Sequence, residues 1–480
     1  MLRSFLRDSA VYVLPTILSR GIGLILLPLY THFLSPAEYG LLELLLAITA
    51  LTNLVLPLEI NQAVMRFLPE TDPGGARVRL VSTAFWFVVG VYTALVLICW
   101  ALPELARLTL FAGNGDSAWV RLAVVSMMSG TLLYTLQIQL RACQQARAYA
   151  LVSAMAVTLT AAAVSGVLLF TSWRVHGVVA AQILGALGAV GLALLLVRRT
   201  TPVRTQFDPM LLRRMLGFSA PLVLSSIAVY VTLYLDRWLI QALLGMDELG
   251  LYGIAMRLAS VVGLMIYPFQ MALTPLVYAH HAEPDTPVHL ARLFEAFWAV
   301  CLCIVAAVGL FAPEIFRLLA SREFAAAAPL AGWMCLTTLM VNTYIFFPGL
   351  WLSKRTGVIT AVNVAAAASN IALNLLLIPL LGLKGVAVAT AASGLVMLVL
   401  FAWLGARHYP IPIVPPRAGA ALGVVLVLQT FIYLDAVPPL LVRLLLAVAI
   451  MPLILFALWS PLQLRAYYAQ AKTLLSKAPS

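Results

Sequence analysis

Charged side chains inside long apolar runs are the residues of this chain with the greatest potential for chemistry. Arg20, Asp236, Arg237 and Arg257 each lie within such a run. A charge at the centre of a bilayer helix costs roughly 2.5–3.5 kcal/mol on insertion scales. These side chains are therefore expected to face a polar interior, where they can line a cavity or pair with one another.

The role of each charge stays open at this level. Asp236 either neutralises Arg237 or Arg257 and so fixes two helices against each other, or it lines a cavity. Arg20 has no acid within one helical turn, so cavity lining is favoured for it. Glu43 is a further cavity candidate. Glu59 lies nearer a membrane surface, where a structural role is favoured.

Two tyrosines could contribute to a sugar-binding surface. Tyr230 and Tyr234 lie four residues apart, which places them on one face of a helix. Tyrosine rings can bind sugars, but packing and interfacial roles are more common. Both residues are kept as cavity candidates.

The elements that must position these residues are membrane-spanning helices. Hydrophobic residues make up 63% of the 480-residue chain, charged residues only 10%, and the mean hydropathy is +1.01. A helix needs about 20 mostly apolar residues to cross the hydrocarbon core. The sequence predicts about fourteen such spans, numbered here in chain order, and the fold class is an all-α polytopic membrane protein. The spans lie at about 11–34, 40–66, 80–102, 118–141, 149–171, 176–197, 215–244, 248–279, 290–312, 329–352, 357–379, 384–405, 417–435 and 440–461.

Topology follows from the basic residues. The chain has 30 Lys and Arg against 18 Asp and Glu, a net charge of +12. With the N-terminus inside, 20 of the 30 fall in cytoplasmic segments and 7 on the opposite side. Positive residues collect in cytoplasmic loops, so this distribution predicts that both termini are cytoplasmic. Because topology accounts for the excess of basic residues, nucleic acid is not expected as a partner.

The sequence repeats itself at a shift of 210 residues. Glu38 and Gly40 meet Glu248 and Gly250 in a short turn, and further identities flank them. Spans 1–6 and 7–12 therefore look like two copies of one unit, related by a pseudo-twofold axis along the membrane normal. The predicted organisation is an N-lobe at 1–200, a C-lobe at 201–408, and a terminal helix pair with a cytoplasmic tail at 409–480.

Enzyme signatures are missing from the sequence. There is no nucleophile elbow, no P-loop and no cluster of residues at metal-ligand spacing. The five cysteines are odd in number and lie in or beside apolar runs, which predicts buried, inert thiols. The chain is therefore not expected to be an enzyme, and no cofactor is predicted.

Two stretches resemble the polysaccharide transporter family. They are FLSPAEYG at 33–40 and LYLDRWLIQALLGMDELGLYGIAMRL at 233–258. The family belongs to the superfamily of the multidrug and toxin extrusion transporters and the lipid II flippases. The resemblance implies twelve helices in two lobes plus a terminal pair, and it places Arg20, Asp236, Arg237 and Arg257 on cavity-facing helices.

The resemblance also implies a function. Family members act as flippases for undecaprenyl-pyrophosphate-linked oligosaccharides at the bacterial inner membrane, in O-antigen, capsule or exopolysaccharide biosynthesis. The implied partners are the lipid-linked oligosaccharide, membrane lipids, a polysaccharide polymerase and a chain-length regulator. One alternative is a small-molecule or multidrug antiporter coupled to Na+ or H+, with Glu43, Glu59 and Asp236 as ion sites. Another is a non-transporting scaffold for polysaccharide assembly.

Overall fold

The computed structural model describes residues 17–19, 21–72, 74–198, 200–434 and 439–459. All regular secondary structure among those residues is helical: residues 17–19 and 21–25, seventeen further α-helices, and two short 3-10 segments, Arg322–Ala327 and Thr343–Phe346. The α-helices are α1 Leu27–Phe33, α2 Pro36–Val55, α3 Ile60–Phe67, α4 Gly75–Ala101, α5 Pro103–Leu110, α6 Ser117–Ala142, α7 Ala146–Phe170, α8 Arg174–Val197, α9 Pro209–Leu243, α10 Met246–His280, α11 Thr286–Leu319, α12 Ala328–Asn342, α13 Gly349–Leu352, α14 Thr356–Leu381, α15 Leu383–Ala406, α16 Pro415–Tyr433 and α17 Leu440–Leu458.

The predicted membrane fold is confirmed. Across the described residues, thirteen helical segments are long and apolar enough to cross a bilayer. A shorter apolar helix, Ile17–Phe33, corresponds to the described part of predicted span 1. The protein is thus an all-α polytopic membrane protein, as its composition and apolar runs indicate.

Two predicted spans are interrupted where prolines occur. Span 2 ends as α2 at Val55 and resumes as α3 at Ile60. Between them, Leu58 and Glu59 adopt left-handed backbone angles, with φ of 47° and 53°. Pro57 lacks an N–H donor and restricts the residue before it, which accounts for the break. Span 10 is interrupted in the same way ahead of Pro348, where α12 gives way to a 3-10 segment.

The turn before α2 is built by a capping box. The Ser35 side chain accepts a hydrogen bond from the Glu38 backbone N–H at 3.3 Å, and the Glu38 carboxylate accepts one from the Ser35 N–H at 2.9 Å. Pro36 occupies the first helical position, where its missing N–H costs nothing. A Glu38 oxygen also lies 2.7 Å from an Arg174 guanidinium nitrogen. The SPAE segment therefore fixes the start of α2 and ties it to α8.

The described residues form two compact units. The first comprises residues of Met1–Arg257 with Leu319–Phe324 and Asn374–Leu383. Inside it, Asn53 on α2 accepts hydrogen bonds from Tyr92 on α4, at 2.9 Å, and from Thr131 on α6. Polar contacts of this kind join membrane helices that have no hydrophobic drive to associate.

The second unit comprises residues of Leu258–Leu318, Ala325–Leu373 and Lys384–Ser480. Gln429 on α16 is buried and donates to the Val305 carbonyl at 3.1 Å. Gly309 on α11 and Gly332 on α12 make room for its amide, because a Cβ at either position would collide with it. These units reflect contacts, whereas the lobes at 1–200 and 201–408 follow the sequence repeat, and those lobe boundaries stay a prediction.

Candidate functional site: a buried charge cluster

Arg237 on α9 is the centre of a buried charge cluster in the first unit. Its Nε lies 3.2 Å from Glu43 Oε2, and its Nη1 lies 3.2 Å from Asp236 Oδ1. All three side chains are less than 10% exposed. The expected pairing of Asp236 with a neighbouring arginine is thus found, and Glu43 joins the same arginine from α2.

Tyrosines complete the surroundings of the cluster. Tyr252 on α10 donates its hydroxyl to the second oxygen of Asp236. The Arg237 guanidinium carbon lies 5.2 Å from the ring centroid of Tyr234 and 5.5 Å from that of Tyr252. Aromatic faces attract a cation, most strongly where water is excluded. Three helices, α2, α9 and α10, are therefore joined through one guanidinium.

The two predicted sugar-binding tyrosines lie at the edge of this cluster. Tyr230 and Tyr234 stack with their ring centroids 5.3 Å apart. The Tyr230 hydroxyl accepts a hydrogen bond from the Trp238 indole at 2.7 Å. The shared helical face is thus confirmed, and packing engages both rings.

Beside the cluster, the two repeat-related turns contact each other reciprocally. A Cβ at Gly40 would collide with the Met246 carbonyl, and a Cβ at Gly250 would collide with the Pro36 carbonyl. Met246 lies 210 residues after Pro36, and Gly250 lies 210 residues after Gly40. The repeat therefore turns each of these two contacts into the other, which is the signature of a twofold contact. The repeat read from the sequence is therefore expressed as a backbone-to-backbone contact.

The same relation explains why the second copy has no acid at the position equivalent to Glu43. Gly253 lies 210 residues after Glu43, and a Cβ at Gly253 would collide with the Glu43 side chain. A glycine in the second copy thus makes space for the carboxylate of the first. The charge cluster is asymmetric although the turns that adjoin it are related.

Arg257, also on α10, lies against two aromatic rings and within electrostatic reach of Glu43 in the charge cluster. Its guanidinium carbon lies 5.2 Å from the Tyr30 ring centroid and 5.7 Å from that of Tyr39. The two rings meet edge to face at 6.0 Å, and both are almost fully buried. Arg257 itself is half-buried, eleven residues after Met246. Arg257 is thus the twelfth of the 21 residues in the candidate membrane span Met246–Ile266, roughly 16 Å from its start at 1.5 Å per residue.

The remaining candidates are placed as follows. Glu59 lies in the break between α2 and α3, half-buried, and is not part of the cluster around Arg237. Arg20 lies outside the described residues, so its cavity position stays a prediction.

Sequence reasoning missed the aromatic partners. Tyr30, Tyr39 and Tyr252 carry no charge, and nothing in their spacing connects them to Arg237 or Arg257. One available signal was that Tyr39 and Tyr252 lie inside the two stretches that carry the family resemblance. The pairing of Glu43 with Arg237 joins residues 194 positions apart and requires the fold.

Comparison with known proteins decides the family. Residues 5–280 match the family described as polysaccharide biosynthesis protein, which is more than half of the chain. The chain belongs to this family. The matched region contains every residue of the charge cluster and both related turns, so the resemblance drawn from those stretches is confirmed.

Three known proteins are similar to this chain in sequence or in fold. Lsg locus protein 1 of Haemophilus influenzae is 24% identical over 314 residues, covering 64% of this chain and 74% of the relative. A structure of the lipid II flippase MurJ in an inward closed conformation matches with a TM-score of 0.72 at 12% identity, over 93% of this chain and 98% of that one. An inward-facing multidrug resistance MATE family transporter of the MOP superfamily matches with a TM-score of 0.64 at 16% identity, over 83% and 97%. At these identities the structural matches establish the fold alone.

Proposed function

We propose that this protein is a flippase that carries an undecaprenyl-pyrophosphate-linked oligosaccharide across the bacterial inner membrane. The observation that carries the proposal is the family match over residues 5–280, which include a half-buried arginine near mid-membrane depth. The product would serve a surface polysaccharide such as O-antigen, capsule or exopolysaccharide. The MurJ structure with the same fold is described as a lipid II flippase, which supports a lipid-linked substrate.

The chemistry of such a substrate sets what the protein must supply. The substrate has a lipid tail, an anionic pyrophosphate and a polar glycan that cannot enter hydrocarbon unaided. The tail can remain in the bilayer, so the protein needs a hydrated path for the glycan and a cation for the pyrophosphate. Arginine suits this task because its planar fork can make paired hydrogen bonds to phosphate oxygens.

Arg257 is the arginine we assign to the pyrophosphate. The Arg257 guanidinium carbon lies close to the Tyr30 and Tyr39 rings, which attract a cation and hold the side chain in place. Arg237 pairs with two carboxylates, and we assign it a structural role. Arg20 remains a second candidate for the anion.

The reciprocal turn contact supplies a gate for alternating access. In this conformation Gly40 packs on Met246 and Gly250 packs on Pro36, which seals the backbones against each other. We propose that these turns separate when the substrate leaves on their side of the membrane. A contact made of two related halves can open when the two helices tilt away from each other, without either helix unfolding.

The described contacts favour this proposal over a cation-coupled antiporter. An antiporter needs an intramembrane carboxylate that can take up Na+ or H+. Glu43 and Asp236 both pair with Arg237, and Asp236 also accepts the Tyr252 hydroxyl. Of the three acids considered, only Glu59 lies outside this network. We assign no cofactor and no coupling ion.

The location and partners follow from the proposed reaction. We propose an inner-membrane protein with both termini in the cytoplasm, because 20 of 30 basic residues fall on that side of the predicted topology. A polymerase and a chain-length regulator would receive the flipped units on the opposite side. A non-transporting scaffold for such enzymes would not depend on Arg257.

Export of surface polysaccharide in a strain that depends on this protein tests the proposal. We expect Arg257→Ala to reduce surface polysaccharide at least tenfold at unchanged protein level, with lipid-linked units accumulating inside. Arg257→Lys should retain part of the activity if charge is sufficient. Exposed Arg317 provides the control, since Arg317→Ala should export normally. Normal export by Arg257→Ala would rule out Arg257 as the pyrophosphate residue. Loss of export by Arg317→Ala as well would show that the effect is not specific to Arg257.

A further inference from the structure

The second unit contains an apolar cavity that shares no residue with the charge cluster. Its volume is about 470 Å³, and α11, α15 and α16 contribute most of its lining. This volume lies within the range of about 300–1,000 Å³ typical of small-molecule pockets. The residues that matter for the argument are Phe294, Trp298, Leu398, Trp403, Tyr409 and Gly419.

The lining offers hydrocarbon contact and almost no hydrogen bonding. Every lining side chain is aliphatic or aromatic, apart from the polar tips of Trp298, Trp403 and Tyr409. The Trp298 indole donates to the Ala418 carbonyl at 3.4 Å, and the Tyr409 hydroxyl donates to the His281 carbonyl at 3.2 Å. Both of these polar tips are engaged by protein. An occupant would therefore be recognised mainly by its apolar surface.

One edge of the cavity has the chemistry of a membrane interface. Trp403 lines the cavity and is 56% exposed, and the Arg407 guanidinium carbon lies 3.9 Å from its ring centroid. Tryptophan, tyrosine and arginine concentrate at the depth of lipid headgroups. Arg407 is exposed at the end of α15, where it can meet a phosphate at the bilayer surface. An apolar cavity with an arginine at its opening matches the acyl chain and the phosphate of a phospholipid.

We propose that this cavity holds one acyl chain of an anionic bilayer phospholipid, with the lipid phosphate at Arg407. The cavity suits a single acyl chain better than the much longer polyprenyl tail of the proposed substrate. The site is formed by the terminal part of the chain, including α16, which lies beyond residues 5–280 of the family match. The proposal is thus independent of the transport function and survives if that function is wrong.

Quenching by brominated lipids tests the site in the full-length protein. Trp298 lines the cavity and is 1% exposed, so bulk lipid should reach it poorly. The protein is reconstituted in phosphatidylcholine with a small fraction of phosphatidylglycerol brominated on one acyl chain. The Trp298 signal is the difference between wild type and Trp298→Phe. We expect saturable quenching of this signal, with brominated phosphatidylcholine at the same fraction quenching at least threefold less.

Glycines on one helix provide matched variants. A Cβ at Gly419 or at Gly423 would meet open space, but only Gly419 lines the cavity. Gly419→Leu should therefore fill the slot and abolish the saturable quenching, while Gly423→Leu should preserve it. Ala402→Leu fills the cavity from α15 and replaces Gly419→Leu if that variant does not fold. Arg407→Ala should remove the preference for phosphatidylglycerol and keep residual quenching by both lipids.

Three results would overturn the proposal. Equal quenching by the two brominated lipids in wild type would indicate ordinary annular lipid. Undiminished quenching in folded Gly419→Leu and Ala402→Leu would place the bromine elsewhere. Quenching by brominated polyprenyl phosphate alone would assign the cavity to a lipid carrier instead of a phospholipid.

Discussion

Arg237 and Arg443 are both buried arginines paired with acids, yet their settings differ. Arg237 holds two carboxylates, Glu43 and Asp236, whose side chains are 9% and 8% exposed. Arg443 on α17 makes a two-pronged pair with Glu314 on α11, at 2.5 and 2.6 Å, and also donates to the Leu310 carbonyl at 3.1 Å. The Glu314 side chain is 30% exposed. Arg237 therefore pairs with two buried carboxylates, whereas Arg443 pairs with one carboxylate that is still partly exposed.

The positions of the two arginines suggest different tasks. Arg237 joins α2, α9 and α10, which carry the reciprocal turns at Gly40 and Gly250. Arg443 belongs to the terminal helix pair, outside the repeated region, and fastens α17 to α11. We therefore expect changes at Arg237 to affect both stability and transport, and changes at Arg443 to affect only the attachment of the terminal helix.

The largest expected effect is that of Arg237→Ala. It leaves Glu43 and Asp236 buried without their cation, which typically costs about 3–5 kcal/mol. We expect a severe loss of protein from the membrane and a clear drop in unfolding temperature in detergent. The triple variant Glu43→Gln, Asp236→Asn, Arg237→Met removes every charge and should recover most of that loss. If the triple variant is as unstable as Arg237→Ala, stranded charge is not the cause.

Arg443→Met should have a smaller effect. It leaves a single acid, Glu314, that is partly exposed, so about 1–3 kcal/mol is expected. The measurement is the free energy of unfolding in mixed micelles, compared with the pair Glu314→Gln, Arg443→Met, which should be close to wild type. Polysaccharide export should be normal in both. Loss of export at normal protein level would erase the distinction between the two arginines.

The two related glycines, Gly40 and Gly250, test whether the contact between the turns is symmetric. Gly40→Ala and Gly250→Ala each place a methyl against a backbone carbonyl of the opposite turn. Overpacking of this kind costs typically about 1–3 kcal/mol, and the twofold relation predicts similar losses for the two variants. Gly130→Ala on α6 meets open space and serves as the control. Unfolding temperatures that differ widely between Gly40→Ala and Gly250→Ala would contradict a symmetric contact.

The smallest expected effect separates the two acids that share Arg237. Asp236 accepts from the Arg237 side chain, the Arg237 backbone N–H at 2.9 Å and the Tyr252 hydroxyl. Glu43 accepts from the Arg237 Nε at 3.2 Å. Asp236→Asn should therefore lower the free energy of unfolding by about 1 kcal/mol more than Glu43→Gln does. The protein level of Asp236→Asn should be lower in consequence. Normal levels of both proteins on immunoblots would argue against a structural role for Asp236.

The sequence predicted the membrane fold because apolar runs of span length are a direct consequence of the solvent. It also indicated the repeat, because Glu38 and Gly40 recur as Glu248 and Gly250. The structure adds that both glycines lie against the backbone of the opposite turn. It could not predict that Glu43 reaches Arg237, because the two lie on different helices and Gly253 creates the space between them. The sequence shows the prolines at 57 and 348. The apolar run continues across each of them, however, so hydropathy predicts one continuous helix in both places.

Reconstitution in proteoliposomes tests directly whether this protein translocates a lipid-linked oligosaccharide. Purified protein is placed in vesicles with a defined lipid-linked oligosaccharide, and an impermeant glycan-modifying reagent measures its appearance on the opposite leaflet. We expect wild-type translocation well above that of empty vesicles, little translocation by Arg257→Ala, and poor transport of a neutral analogue that lacks the pyrophosphate. Translocation of the neutral analogue at the wild-type rate, or no difference between wild-type and empty vesicles, would contradict the proposed function.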